Sequence, residues 1–266
     1  MSANSRPVGV FDSGAGGISV LKTMTRLLPR EDFLFYGDDK NAPYGTKGPQ
    51  EVRALAENAV RFLLDRNAKA VVIACNTATA AAAESLRARY AMPIIGMEPA
   101  IKPASGCRKG GIVLSMATPG TLKSEKYRRL SEKYGEGVVP LPCPGLMEFV
   151  ERGILDGGEL RDYLQRLFAP FQDQKVDAVV LGCTHYVFLR SVIASFFSKG
   201  TRVLDGNLGT ARQLQRRLTE EGLLAPEGHK GTVTILSSGG EAFEKRLKAL
   251  YDTPLTDELP EPEALQ

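Results

Sequence analysis

Two cysteines stand in matching surroundings, where a thiol can act as a nucleophile or as a base. Residues 70–77 read AVVIACNT, and residues 178–185 read AVVLGCTH. In each segment an apolar, mostly β-branched run ends in a small residue, and Cys75 or Cys183 follows it. Side chains that form hydrogen bonds come next, and the two segments align without a gap. The match predicts two reactive sulfur atoms, presented by two similar halves of the chain.

Apolar runs of this kind predict buried parallel strands, and open α/β sheets place ligands at the carboxyl ends of their strands. Both cysteines are therefore expected beside a ligand, near the start of a following helix, where a thiolate is stabilised and its pKa lowered. A single cysteine at a strand end is usually a small buried hydrophobe. Two cysteines in the same strand-end sequence context favour a different interpretation, in which the thiols face one another across a cleft. Cys107 and Cys143 lack that context and are interpreted as structural.

A glycine-rich loop, residues 12–17 (DSGAGG), follows the first predicted strand. Its glycines permit a tight turn and the close approach of a ligand. A dinucleotide fingerprint would need glycine where Ser19 stands, and no P-loop motif is present. Asp12 would repel a phosphate, so it suits an ammonium group or the orientation of a catalytic group. Capping of the next helix is an open alternative for Asp12.

Three further side chains are candidates with a structural alternative. His185 lies two residues after Cys183 and can hold or shuttle a proton, or form a structural hydrogen bond. Tyr44, in the loop 38–45 (DDKNAPYG), can donate a hydrogen bond, although the loop alone indicates only a turn. Glu151 lies at a predicted helix end and by itself is expected to be solvated. His229 is expected at the surface.

The elements that must position these side chains alternate along the chain. Strands are predicted at 8–11, 33–36, 93–97, 111–116, 138–141 and 232–236, besides the runs before the two cysteines. Helices are predicted at 18–28, 49–67, 146–153, 159–172 and 210–218, and between Cys75 and residue 90. Such alternation predicts an α/β fold with parallel sheets and helices on both faces.

The repeated pattern suggests a duplicated α/β unit. Any chain of βαβ units can give similar spacings by chance, but the gapless match around the cysteines favours duplication. The segment after the second unit is expected to return to the first. The predicted domains are therefore 1–97 plus 209–266, which is discontinuous, and 98–208. Residues 257–266 are acidic and contain proline, and we expect a frayed end there.

Composition narrows the function classes. The 34 Lys and Arg are dispersed among 31 Asp and Glu, which gives no electrostatic reason to expect nucleic acid or a membrane as a partner. The first seven residues lack the apolar core of a signal peptide, and no apolar run approaches a membrane span. None of the four cysteines form a C-x-x-C pair, so a metal site has little support. We expect a cytoplasmic protein with reduced thiols.

Taken together, six short motifs resemble those of the bacterial glutamate racemases, in the aspartate/glutamate racemase family. They are residues 10–17 (VFDSGAGG), 43–45 (PYG), 75–77 (CNT), 98–100 (EPA), 121–124 (TLKS) and 182–185 (GCTH). The motifs occur in the family's order and cover most of the chain, thinning after about residue 215. The resemblance implies two pseudo-symmetric α/β domains, each a mostly parallel sheet flanked by helices, with the active site in the cleft between them.

The resemblance also implies roles for individual residues. Cys75 and Cys183 would be the acid/base pair, assisted by Asp12 and His185, and Glu151 matches another acidic position associated with the site. The substrate-binding set that it implies is Asp12, Ser13, Pro43, Tyr44, Gly45, Asn76, Thr77, Thr118, Thr121, Thr184 and His185.

The activity implied is the interconversion of L- and D-glutamate without a cofactor or metal. Its product would supply D-glutamate for peptidoglycan, and so serve cell-wall biogenesis and cell shape. Glutamate would be the small-molecule partner, and dimers are common in the family, although the sequence carries no interface signature.

Three other interpretations stay open at this point. A related racemase, such as one acting on aspartate, would share the motifs and differ in substrate preference. A two-domain binding protein would hold amino acids without exchanging the hydrogen at C2. A dithiol redox protein is disfavoured because a C-x-x-C motif is lacking.

Overall fold

The computed structural model describes residues 4–255, and these form two parallel sheets flanked by helices. The strands are β1 (Val8–Asp12), β2 (Phe33–Gly37), β3 (Ala70–Ile73), β4 (Ile94–Gly96), β5 (Ile112–Ala117), β6 (Val138–Pro142), β7 (Val176–Leu181), β8 (Arg202–Asp205) and β9 (Val233–Ser237). The α-helices are α1 (Ile18–Leu27), α2 (Pro49–Leu64), α3 (Asn76–Arg89), α4 (Ile101–Ser105), α5 (Pro119–Leu122), α6 (Glu125–Tyr134), α7 (Leu146–Glu151), α8 (Gly158–Phe168), α9 (Arg190–Ala194), α10 (Asn207–Glu220) and α11 (Glu241–Asp252).

The first sheet has the strand order β4-β3-β1-β2-β9, and the second has the order β6-β5-β7-β8. All pairings within both sheets are parallel. In the first sheet Val10 lies opposite Phe35 on one side and Val72 on the other. The strands at the centre of each sheet are continuous apolar runs because helices cover both faces and no face meets water. β1, β3 and β7 are buried along their whole length.

The amphipathic pattern of α1 shows how the helices close the core. Its buried positions include Ile18, Leu21 and Met24, which recur at intervals of three and lie on one face. That face packs in the same apolar cluster as Val10 of β1 and Leu214 of α10. Since α10 follows the whole second sheet in the sequence, the first core contains both early and late parts of the chain.

The C-terminal segment returns to the first sheet, where β9 pairs with β2. The chain crosses between the two sheets near Glu98 and again near Gly206, and these crossings are adjacent. A Cβ atom on Gly206 would collide with the backbone oxygen of Glu98. We propose domain boundaries at these crossings, in keeping with the predicted division into 1–97 plus 209–266 and 98–208. The predicted frayed end at 257–266 lies outside the described residues.

Some predicted boundaries are wrong, for local reasons. α2 ends at Leu64 rather than residue 67, because Asn67 takes a left-handed backbone with φ of 63°. α8 ends at Phe168 rather than residue 172, and a short 3-10 turn follows, since Pro170 has no N–H to continue the helix. β8 has no counterpart in the prediction because it is a partly exposed edge strand that begins with Arg202.

No helix within residues 4–255 combines the length and the apolar content that a bilayer crossing requires.

A buried ion pair ties the start of β3 to the loop before β2. The Lys69 ammonium lies 2.6 Å from a Glu31 carboxylate oxygen, and both side chains are almost fully buried. Lys69 also donates a hydrogen bond to the backbone oxygen of Asn4, at 2.6 Å. Glu31 accepts a further hydrogen bond from the backbone of Ala225. The pair therefore joins four segments below the first sheet.

We expect Lys69→Met to lower the free energy of unfolding by about 3–5 kcal/mol, because it leaves a buried carboxylate without its counter-ion. The measurement is chemical denaturation followed by circular dichroism. Arg216→Met is the matched control, since Arg216 pairs with Glu220 on an exposed face of α10 and such pairs contribute about 0–1 kcal/mol. Equal stability of the two variants would contradict this role for Lys69.

Candidate active site

Cys75 and Cys183 occupy equivalent places in the two sheets. Each lies two residues beyond the last residue of its strand, at the carboxyl end of β3 or of β7. Cys75 is 6% exposed and Cys183 is 8% exposed. Both thiols line one small cavity between the sheets, with a volume of about 10 Å³. The cavity is lined by Asp12, Ser13, Tyr44, Gly45, Cys75, Asn76, Thr77, Thr118, Thr121, Met147, Gly182, Cys183, Thr184 and His185.

The Cys75 thiol is the N-cap of α3. Its sulfur accepts a hydrogen bond from the backbone N–H of Ala78 at 3.4 Å, and the hydroxyl of Ser13 lies 3.6 Å away. Burial nevertheless raises the pKa of Cys75 well above its usual value, and the charge of Asp12 raises it further. The expectation that the helix N-terminus lowers this pKa is therefore wrong for Cys75 in the closed site, because desolvation outweighs one weak hydrogen bond.

Cys183 also lies just beyond the carboxyl end of its strand, but the element after it is different. A 3-10 segment, Thr184–Leu189, begins there instead of an α-helix. The expected helix start is thus present as α3 after Cys75 and absent after Cys183. The polar partner of Cys183 is a side chain: Nδ1 of His185 lies 3.7 Å from the sulfur.

The Asp12 carboxylate is buried beside Cys75 and accepts four hydrogen bonds, one of them from the Ser13 hydroxyl at 3.4 Å. Its Oδ1 accepts a hydrogen bond from the Ser13 backbone at 2.7 Å, and its Oδ2 accepts one from the Gly17 backbone at 2.5 Å. Thr184 of the other sheet donates its hydroxyl to Oδ2 at 3.2 Å. Burial raises the pKa of Asp12 to about 6. Since Gly17 is the N-cap of α1, Asp12 both supports that helix and faces the cavity, so the two alternatives are compatible.

His185 connects Cys183 to a second carboxylate. Its Nε2 lies 2.8 Å from Oε1 of Glu151, at the end of α7. Burial lowers the pKa of His185, but the Cys183 sulfur and the Glu151 carboxylate outweigh burial and raise it well above its usual value. In Glu151, burial raises the pKa, while His185, the Ala15 amide and Arg246 bring it down to about 2. The carboxylate is thus ionised, and Nε2 of His185 lies within hydrogen-bond distance both of it and of the Gly16 backbone N–H, 3.2 Å away.

The glycine-rich loop allows this second sheet to approach. A Cβ atom on Gly14 would collide with the Glu151 carboxylate, and one on Gly16 would collide with His185 and Thr184. Ala15 donates its backbone N–H to Oε1 of Glu151 at 2.9 Å. The prediction of close approach at these glycines concerned a ligand. The structure places side chains of the opposite domain there.

The loop before α2 brings Tyr44 and Gly45 to the cavity. The Tyr44 hydroxyl donates a hydrogen bond to Asp38 at 2.6 Å, and Asn41 also donates to that carboxylate. A Cβ atom on Gly45 would meet Thr118 of the other domain. Pro43 is not among the cavity-lining residues. It precedes the 3-10 turn Tyr44–Thr46 and so shapes the backbone that presents Tyr44.

Three threonine hydroxyls meet across the cleft. Thr77 lies 3.1 Å from both Thr118 and Thr121, and those two are 3.0 Å apart. Thr118 is also the N-cap of α5, with its hydroxyl accepting from the Thr121 backbone. Next to them, the buried Oδ1 of Asn76 has no hydrogen-bond partner among the described residues. These groups supply donors and acceptors for a small polar ligand.

Most of the predicted residues therefore meet at one place. Pro43 and Glu151 lie outside the cavity lining, with Glu151 acting through His185. Gly182 and Met147 line the cavity without having been predicted. Gly182 had a signal in the sequence, the small residue before Cys183, while Met147 had none.

A larger cavity of about 480 Å³ opens at the opposite end of the second sheet, near Phe168 and Lys175. The smaller cavity is the stronger candidate, since it alone of the two contains both thiols and both of their polar partners. Within residues 4–255 there is no group of three or more His, Cys, Asp or Glu side chains that could hold a metal ion.

The fold and this site define a racemase, and the chain belongs to the Asp/Glu/Hydantoin racemase family, whose model matches residues 8–214. A glutamate racemase of Clostridium botulinum (strain Alaska E43 / Type E3) is 49% identical over 243 residues, which covers 90% of this chain and 94% of that relative. The predicted resemblance and the isomerase class are thereby confirmed.

Solved structures agree with the fold. Glutamate racemase from Francisella tularensis subsp. tularensis SCHU S4, in complex with D-glutamate, has a TM-score of 0.80 at 28% identity and covers 95% of this chain and 96% of its own. Escherichia coli glutamate racemase, in complex with L-glutamate and the activator UDP-MurNAc-ala, has a TM-score of 0.81 at 29% identity and covers 92% and 94%. The predicted two-domain α/β architecture is confirmed.

The raised pKa of Asp12 predicts a pH dependence of stability. The carboxyl takes up a proton on folding because its pKa rises from 3.8 to about 6. Its contribution to stability is therefore full below pH 4 and is lost as the pH rises through 6. The total is about 3 kcal/mol, at about 1.36 kcal/mol per pKa unit.

Asp12→Asn should consequently gain stability relative to the wild type between pH 4 and pH 7.5, by up to about 3 kcal/mol. Urea denaturation at a series of pH values measures the difference. Asp162→Asn is the control, because Asp162 is exposed on α8 and stays in solvent whether the chain is folded or not. Parallel curves for wild type and Asp12→Asn would show that Asp12 takes up no proton on folding.

Proposed function

We propose that this protein interconverts L- and D-glutamate by two-base proton transfer at Cα, with Cys75 on one face of the carbon and Cys183 on the other. The observation that carries the proposal is that the two thiols come from equivalent strand ends of two similar sheets and line one cavity. The names of the relatives support the substrate, because complexes with D-glutamate and with L-glutamate exist for two structural neighbours.

Racemisation requires an acid/base group on each face of Cα, and two thiols can meet this requirement. The proton leaves one face of Cα and a proton must return to the other face. A single base would tend to return its own proton to the face from which it came. Two groups on opposite sides, one ionised and one protonated, serve both directions of the reaction. A duplicated strand end supplies such a pair.

The polar partners assign a role to each side. Asp12 contacts Ser13 beside Cys75 and assists that thiol in exchanging its proton. His185, held by Glu151, assists Cys183. Each thiol thus has its own titratable neighbour, which can take up or release a proton beside it.

The substrate's acidity sets the energetic problem. The Cα–H of an amino acid is a weaker acid than a thiol. The difference is roughly 20 pKa units, which corresponds to a free energy of about 27 kcal/mol for the proton transfer. Donors held in place around the substrate carboxylate stabilise the charge that develops as the proton leaves. The proposed binding residues are Ser13, Tyr44, Gly45, Asn76, Thr77, Thr118, Thr121 and Thr184, with Pro43 shaping the loop that carries Tyr44.

Exclusion of water strengthens those contacts, and the cavity is already nearly closed. It leaves about 10 Å³ for the centre of a water-sized molecule, which is about the room that one water requires. Glutamate is larger, so its entry requires the two domains to separate. The adjacent chain crossings at Glu98 and Gly206 offer a hinge for this motion.

The cellular role rests on the resemblance. We propose that the enzyme works in the cytoplasm, without a cofactor, and supplies D-glutamate for peptidoglycan synthesis. A homodimer remains a prediction from the family.

The proposal predicts that wild-type protein incorporates solvent deuterium at C2 of both glutamate enantiomers and abolishes their optical rotation. Cys75→Ser and Cys183→Ser should each slow racemisation by at least about 100-fold, because each removes one of the two acid/base groups. Cys107→Ser is the matched control, since Cys107 lies outside the cavity.

Aspartate, assayed beside glutamate, separates the alternatives. Faster exchange on aspartate would point to the related racemase, and binding without exchange would point to a binding protein. Full racemase activity in either serine variant at Cys75 or Cys183 would remove that cysteine from the mechanism.

A further inference from the structure

Arg246 reaches the site from α11, the last helix of the described chain. Its Nη2 donates a hydrogen bond to Oε2 of Glu151 at 2.8 Å, and its Nη1 donates one to the backbone oxygen of Glu151 at 2.7 Å. α11 belongs with the first sheet, where it packs on β9, whereas Glu151 ends α7 in the other domain. None of the six motifs contains Arg246.

The two oxygens of the Glu151 carboxylate have different partners. Oε2 faces Arg246, while Oε1 accepts a hydrogen bond from the backbone of Ala15 and lies 2.8 Å from Nε2 of His185. Together with the contact to the Glu151 backbone, this grip fixes both the position and the rotation of the carboxylate. The guanidinium holds one donor on the carboxylate and a second on the Glu151 backbone in a single rigid plane, an arrangement that a lysine ammonium does not preorganise.

Arg246 is itself held in place. Its guanidinium lies 4.4 Å from the ring centre of Phe243, one helical turn away, and Nη2 is 3.7 Å from the buried Asp39 carboxylate. Its side chain is 32% exposed. The ring below and the carboxylate beside it restrict where the guanidinium can lie, so it acts as a rigid clamp.

We propose that Arg246 is a positioning residue for the Cys183 half of the reaction, acting through Glu151 and His185. The contacts form one line, from Arg246 to Glu151 at 2.8 Å, to His185 at 2.8 Å and to Cys183 at 3.7 Å. The polar contacts of Cys75 are with Ser13 and Ala78 instead. Loss of Arg246 should therefore affect one thiol and spare the other. This inference rests on the proposed function.

Racemisation alone cannot separate the two thiols, because both take part in every turnover. Elimination of chloride from 3-chloroglutamate can separate the two thiols, since this reaction needs only one base. A thiolate removes the Cα proton, the C–H electron pair forms the Cα=Cβ bond, and chloride leaves with the C–Cl pair. The enamine product then tautomerises and is hydrolysed by water to 2-oxoglutarate and ammonium. Each enantiomer at Cα presents its proton to a different cysteine.

The experiment measures chloride release from both enantiomers by wild type, Cys183→Ser, Arg246→Met, Arg246→Lys and Lys248→Met. The enantiomer that Cys183→Ser no longer processes should be slowed about 10- to 100-fold by Arg246→Met, the size of effect found when a group that orients a metal ligand is removed. The other enantiomer should react within about twofold of the wild-type rate, because the contacts of Cys75 are unchanged.

The remaining variants separate positioning from general damage. Arg246→Lys retains the positive charge but loses the paired donors of the guanidinium, so it should slow the same enantiomer by less than Arg246→Met does. If Arg246→Met does not fold, the rates of Arg246→Lys on the two enantiomers provide the same test. Lys248→Met, at an exposed position of the same helix, should behave as wild type.

Two outcomes would overturn the inference, and they are distinguishable. If wild type racemises glutamate but Arg246→Met and Arg246→Lys slow both enantiomers equally, or neither, the assignment of Arg246 to Cys183 is wrong. If wild type does not racemise glutamate at all, the proposed function fails and this inference fails with it.

Discussion

The close approach of the first loop to the second sheet is the constraint on which the site depends. Gly14 and Gly16 leave room for Glu151 and His185, and Asp12 accepts a hydrogen bond from Thr184 across the same junction. Glu151 and His185, which lie near Cys183, are thereby packed against the glycine-rich loop that lies near Cys75. Larger residues at these two glycines would separate the sheets, and the thiols would no longer share a cavity.

The same junction explains the unequal electrostatics of the two thiols. Cys75 lies beside a buried carboxyl whose pKa is raised, in surroundings that disfavour negative charge. Cys183 lies beside His185, whose pKa is raised, despite burial, by the Cys183 sulfur itself and by the ionised Glu151 carboxylate. In the closed protein, the surroundings of Cys75 therefore favour its protonated form. The symmetry of the backbone is thus not matched by symmetry of charge.

Local pattern predicts much of this molecule. The apolar runs before Cys75 and Cys183 are parallel strands, and both thiols lie at carboxyl ends, as strand periodicity and the geometry of open sheets require. β8 was not predictable from the sequence, because an edge strand that begins with Arg202 is only partly buried and carries no apolar run. The contact of Arg246 with Glu151 could not be predicted, because the two residues are far apart along the chain and no sequence pattern links them. The raised pKa of Cys75 could not be predicted either, because its burial depends on the whole assembled cavity.

The chain order of the elements also determines when the parts of the protein can come together. Strands β5 to β8 are contiguous in sequence, so the second sheet can fold as soon as its own residues have been synthesised. The first sheet must wait for β9, and the Glu151 carboxylate must wait for the guanidinium on α11. The second sheet, with Cys183 beyond the end of β7, can therefore be complete before the guanidinium that contacts Glu151 has been synthesised.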